Sequence, residues 1–70
     1  MVEKIIDLIG ISTNSIEDAV QIALTRASVT IKGIHHVHVE DIAATVEGNQ
    51  VAQWRVAIKA SFVVQDQLHD

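Results

Sequence analysis

Gln50-Val51-Ala52-Gln53-Trp54-Arg55-Val56-Ala57-Ile58-Lys59-Ala60-Ser61-Phe62-Val63-Val64 is the stretch that decides the fold. Trp54, Val56, Ile58, Ala60 and Phe62 fall on one parity; Gln53, Arg55, Lys59 and Ser61 fall on the other, with Ala57 among them. A period of two is that of an extended strand, whose successive side chains point to opposite faces. A strand this long with one apolar face requires something to cover that face. By the same parity Trp54 belongs to the covered side.

Working backwards, Glu47-Gly48-Asn49 has the composition of a hairpin turn. The preceding segment, residues 34–46, is rich in β-branched residues and reads as the partner strand. Val37 and Val39 lie on one of its faces and His36, His38 and Glu40 on the other, with His35 pointing away from His36. The alternation weakens after Asp41, which predicts a bulge there. Residues 3–9, Glu-Lys-Ile-Ile-Asp-Leu-Ile, read as a further short strand that stops at Gly10, with Ile6 and Leu8 on one side and Ile5, Asp7 and Ile9 on the other.

The helix that covers the sheet lies between. Ser12-Thr13-Asn14-Ser15 is rich in capping residues, and both Asn14 with Glu17 and Ser15 with Asp18 fit a capping box. Ile16, Ala19, Val20, Ala23, Leu24 and Ala27 then recur at helical spacing. Gly33 after Lys32 suits a C-terminal cap, so the expected helix runs from about 15 to 31. Alanines on the buried face allow close approach to a sheet. The polar tail, residues 65–70 with His69, is expected to fray. The fold class is α+β: a single β-α-β-β domain over residues 1–70, with a three-stranded antiparallel sheet packed on one helix.

Composition narrows the function. A chain of 70 residues that is 49% apolar has too small an interior for all those side chains, so part of the excess lies on a surface that another subunit covers. The absence of cysteine excludes disulfides and thiolate metal sites. A net charge of −4 without any basic run argues against nucleic acid as a partner. The N-terminal residues lack the layout of a signal peptide and no apolar stretch is of bilayer length, so a cytoplasmic protein with no membrane partner is expected. No paired carboxylates, nucleophile–base arrangement or phosphate-cradling glycine loop marks an enzyme.

Gly10-Ile11-Ser12, Ser15, Ala19, Ala23, Arg26-Ala27 and Thr30, followed by Val37 and Val39 and then Val56, Lys59 and Phe62, resemble in order and spacing the dodecins. These are small flavin-binding proteins that assemble as hollow twelve-subunit shells. The resemblance runs over roughly residues 3–65; Ile11 stands where the family usually has threonine. It implies a cytosolic homododecamer that stores flavin, FMN or riboflavin, and shields it from side reactions. In flavin-binding members a tryptophan early in the second strand stacks on the ring; His36 occupies that position, with His38 where an acidic residue follows. A glutamine just after an aromatic residue in the third strand binds the ring edge; here Arg55 follows Trp54. An acidic residue that contacts the ribityl chain in some members is matched by Asp41.

The candidate binding residues are therefore His36, His38, Asp41 and Arg55. Imidazole offers less stacking area than indole. The change costs about 1–3 kcal/mol per stacked face, judged from base–aromatic stacking, or roughly ten- to a hundredfold or more in affinity. Arg55 is a pure donor and cannot accept a ring N–H as a glutamine oxygen does. The resemblance thus implies flavin binding that is weak or altered. The alternative is a flavin-free shell that serves as a scaffold, or that binds metal ions or another small molecule. His36 and His38, about 7 Å apart on one face, would need a third ligand to hold a metal, and no metal site is assigned. Arg26 and Lys59 suit surface or intersubunit ion pairs.

Overall fold

A computed structural model describes residues 1–64. Its elements are β1 (Val2–Ser12), α1 (Ile16–Ala27), β2 (Ile34–Glu47) and β3 (Gln50–Val64). The tail and His69 lie outside the described residues. The sheet order is β1-β3-β2, and both outer strands run antiparallel to β3. β1 and β2 are thus parallel to each other, with the last strand of the chain inserted between them.

The helix is shorter than the expected 15–31 and ends where its apolar spacing ends, at Ala27. It begins where Ser15 Oγ accepts the Asp18 backbone N–H at 2.9 Å, so Ser15 rather than Asn14 is the N-cap. The reciprocal half of a capping box is replaced. Asp18 Oδ2 accepts the Ser12 hydroxyl at 2.6 Å, while Ser12 Oγ accepts the backbone N–H groups of Asn14 (2.9 Å) and Ser15 (3.3 Å). One buried hydroxyl therefore ties the end of β1 to the first turn of α1. At the other end the helix stops at Ala27 and Ser28–Thr30 form a turn. Gly33, at φ 82°, makes a left-handed step in the link to β2 and does not cap the helix. The Thr30 and Ile31 amides bond back to the Ala27 carbonyl, so the β-branched Val29-Thr30-Ile31 run leaves the helix there.

Ala19 and Ala23 are buried against Val56 and Ile58, with Leu8, Ile16, Val20 and Val37 partly buried around them. Gly10 makes this contact possible. A Cβ at that position would collide with the Ala19 carbonyl oxygen and come within 3.3 Å of the Ala23 Cβ. Trp54 shares the parity of Val56 and Ile58 but is half-buried, opposite Ser12 and Ala44 and outside the core. The helix is too short to reach over it.

β2 and β3 are joined by a two-residue turn in which Gly48 (φ 58°) and Asn49 (φ 64°) both take positive φ, as the expected hairpin requires. The bulge falls one residue before the expected place: Val39 pairs with Ile58 and Asp41 with Ala57, leaving Glu40 unpaired. A second irregularity leaves His35 extra between Ile34 and His36. The radius of gyration is 15.0 Å, against about 11 Å for a compact chain of this length.

Two substitutions test this account. Gly10→Ala forces α1 off the sheet and is expected to destabilise by about 3 kcal/mol or more, the upper end of overpacking costs. Ser12→Ala removes the shared hydroxyl and is expected to cost about 1–3 kcal/mol. Thermal unfolding followed by circular dichroism checks both.

Candidate functional site

Residues paired across adjacent strands share a face, so the register fixes where the candidates stand. The helix-covered face carries Leu8, Val56, Ile58 and, from β2, Val37, Val39, Ile42 and Ala44. The opposite, open face carries Ile5, Asp7, Ile9 and Ile11 from β1 and Arg55, Ala57, Lys59 and Ser61 from β3. His36 stands opposite Ser61, His38 opposite Lys59, and Asp41 opposite Ala57; Arg55 lies between Ala43 and Ile11. All four candidates are on the open face and exposed.

The unpaired Glu40 puts Asp41 there. Strict alternation would align Asp41 with Val37 and Val39; the extra residue turns it to the other side. The same device corrects the expectation for His35. Its Nε2 reaches across β3 to within 4.0 Å of Glu3 Oε2, and Glu3 pairs with Val63 on the open face. His35 and His36 therefore serve one face.

The candidates form a row rather than a cluster. Six positions of β3 separate the partner of His36 from Arg55, a span of about 20 Å. Asp41 and Arg55 are diagonal neighbours about 7–8 Å apart. His36 and His38 form the other end of the row.

Electrostatics differ along it. His38 Nε2 lies 3.2 Å from Glu40 Oε2, and Lys59 Nζ donates to Asp7 Oδ1 at 2.7 Å. Lys59, expected as a surface or intersubunit pair, is thus paired within the chain. The hydrogen bond from Lys59 to Asp7, and the charge of that carboxylate, hold the ammonium above its usual 10.5, with Glu40 adding to the effect. Among the described residues Arg55 enters no ion pair, so its five donors face outward beside the exposed Ile9 and Ile11. An apolar floor with a donor fork at one side and an acceptor, Asp41, nearby suits one edge of a flat polar ligand. No group of three or more His, Asp or Glu residues gathers as a metal site among the described residues.

None of the four candidates lines the groove on the far side of β1. This recess of about 460 Å³ runs along the outer edge of that strand beneath α1, between Ile9, Gly10 and Ile11 and the helix residues Ile22, Ala23 and Arg26. No residue pattern discloses it, because it arises where β1 remains the sheet's outer strand. No helix among the described residues is long and apolar enough to cross a membrane.

A β-α-β-β subunit with one helix-covered face and one bare face of mixed chemistry defines a small binding module. The family-specific sequence model of the dodecins matches residues 2–65, and the chain belongs to the dodecin family. Members of this family are non-enzymatic small-molecule binding proteins, commonly of flavins, and typically homo-oligomeric. The dodecin of Thermus thermophilus is 29% identical over 65 residues, 93% of this chain and 94% of that one. A solved Thermus thermophilus structure superposes with a TM-score of 0.89 at 29% identity, covering 94% of this chain and 97% of the other. The Streptomyces coelicolor dodecin gives 0.86 at 29% identity, covering 94% of each chain. A calcium dodecin from Mycobacterium tuberculosis, described as calcium-chelating with a novel calcium-binding site, gives 0.79 at 28% identity over 99% of both chains.

The Lys59–Asp7 pair has a pH signature. A raised lysine pKa stabilises the fold fully below the unfolded value, and the contribution is lost as pH rises through the higher folded value. Lys59→Met is therefore expected to be less stable than the wild type at about pH 8–9, with the gap closing as pH rises past the usual lysine value of 10.5. Urea titrations at both pH values measure it; a gap that does not change with pH would remove the pair from the account.

Proposed function

We propose that this protein is a cytoplasmic, homo-oligomeric dodecin, twelve subunits to the shell, that stores flavin on its open face with weakened affinity. The observation that carries the reading is the common placement of His36, His38, Asp41 and Arg55 on one bare face, beside exposed Ile9 and Ile11. A face of that chemistry left uncovered by its own chain is completed by a neighbouring copy, and the spread of the row supports a pocket shared between copies.

In this reading His36 lies flat against the isoalloxazine ring in place of a larger indole. Arg55 donates to ring carbonyl oxygens, and Asp41 accepts from ribityl hydroxyls. Enclosure between copies excludes water and keeps the ring from photochemical side reactions. The smaller stacking area lowers affinity by roughly ten- to a hundredfold relative to a tryptophan.

A second reading rests on the same two replacements. His36 and Arg55 alter both ring contacts at once, which favours a shell that has given up flavin and serves as a scaffold or holds a metal ion or another small molecule. The calcium-chelating relative lends support to an ion-binding version.

Titration of FMN and of riboflavin with the protein, followed by flavin fluorescence, separates the two. Saturable quenching is expected, and His36→Trp is expected to tighten it at least about tenfold. Flavin that stays fully fluorescent with both proteins at high micromolar concentration would sink flavin storage and leave the second reading.

A further inference from the structure

We infer that His36 places flavin storage under the control of pH: the open face holds flavin while this imidazole is neutral and releases it when the imidazole takes up a proton. This control rests on the flavin reading above. Three histidines stand within four residues of β2, and their surroundings differ.

His35, His36 and His38 are all exposed and serve the open face. His35 Nε2 lies 4.0 Å from Glu3 Oε2, and His38 Nε2 lies 3.2 Å from Glu40 Oε2. A proton on either of these rings meets a carboxylate. His36 has no such partner. Among the described residues it enters neither an ion pair nor a side-chain hydrogen bond.

The groups that face it supply no acid. Its cross-strand partner is Ser61, and beyond Ser61 on β1 stands Ile5. Lys59, next along the open face of β3, donates to Asp7 of β1 at 2.7 Å. Glu3 and Glu40 face the other two histidines. Asp41 stands opposite Ala57, about 13 Å along the row, with Arg55 beyond it. α1 contributes no charge here, because its core lies on the opposite face of the sheet. A proton on His36 therefore adds a cation beside Lys59 and two further imidazoles, with no carboxylate to answer it.

A flavin laid on the ring makes that proton costly. The isoalloxazine shuts His36 off from water, and a charge taken out of water without a partner is strongly disfavoured. The neutral imidazole carries no such penalty. Imidazoles change charge between about pH 5 and 8. A ligand that accepts only the neutral form has its affinity scaled by the fraction of protein in that form. Binding is thus full on the alkaline side and falls on the acid side, toward a limit of about tenfold for each pH unit. Tryptophan, which stacks at this position in flavin-binding members, has no proton to gain in this range. The replacement that weakens the stacking also gives the site a titration.

Riboflavin is the probe, because the phosphate of FMN would be drawn to the same cations as pH falls. It is titrated with the protein at about pH 8, 6.5 and 5, following flavin fluorescence. Wild type is expected to bind at pH 8 and to weaken on the acid side toward about tenfold per pH unit. His36→Trp is expected to bind tighter and to hold its affinity across the range. His35→Gln, which keeps His36, is expected to retain the wild-type pH dependence. If His36→Trp does not fold, His36→Phe gives the same comparison. Equal wild-type affinity at all three pH values overturns the control and leaves flavin storage standing. A loss that His36→Trp shares in full, or one that vanishes in His35→Gln, overturns it too, since another group then titrates. Wild type that binds no riboflavin at pH 8 overturns the flavin reading and the control with it, so the failures are distinguishable.

Discussion

At Gly10 the backbone of α1 comes so near β1 that an added Cβ would collide with the Ala19 carbonyl oxygen. Everything else is arranged around that contact. A helix lying this near a strand can bury only small side chains at the point of contact, and Ala19 and Ala23 supply them. The larger apolar groups, Val56 and Ile58, come from the sheet. The Ser12 hydroxyl holds the turn that lets the chain double back at this distance. The resulting core is narrow, and it sits over one end of a sheet much longer than the helix. That mismatch accounts for the exposed apolar groups better than composition alone, because it says where they are.

The fold was legible where periodicity was strong. The alternation in residues 50–64 located β3, and Gly48-Asn49 located the turn, since few other pairs take positive φ at both positions. The failures have local causes. The expected helix overran its true end because Gly33 suits a C-terminal cap; the apolar spacing itself stops at Ala27, where the helix ends, and the branched Val29, Thr30 and Ile31 do not favour its continuation. Trp54 has core parity but no helix above it. Parity reports the face a residue occupies, and only the length of the covering element reports whether that face is buried.

The site was legible in part for the same reason. That His36 and His38 share a face follows from a spacing of two. That Asp41 joins them does not, because it depends on one unpaired residue, Glu40, whose place in the register no short pattern discloses. Arg55 falls on that face by its parity opposite Trp54. What a single chain cannot express is the gathering of these groups, since a strand holds them in a row and only a second surface can close over them. Lys59 is the converse case: of the surface and intersubunit ion pairs that its sequence allows, it makes the surface one, with Asp7 of the same subunit.

The strand order also bears on how the molecule comes into being. β1 and β2 are not neighbours, and each bonds only to β3, which is the last of the three in the chain. During synthesis, therefore, two strands and a helix emerge before any sheet hydrogen bond between them can form. The pairs that complete the sheet join residues as distant as Val2 and Val64, and such long-range closure is slow. A nascent chain lacking β3 has no partial sheet to fall back on, so folding waits for the final strand and then proceeds as one event.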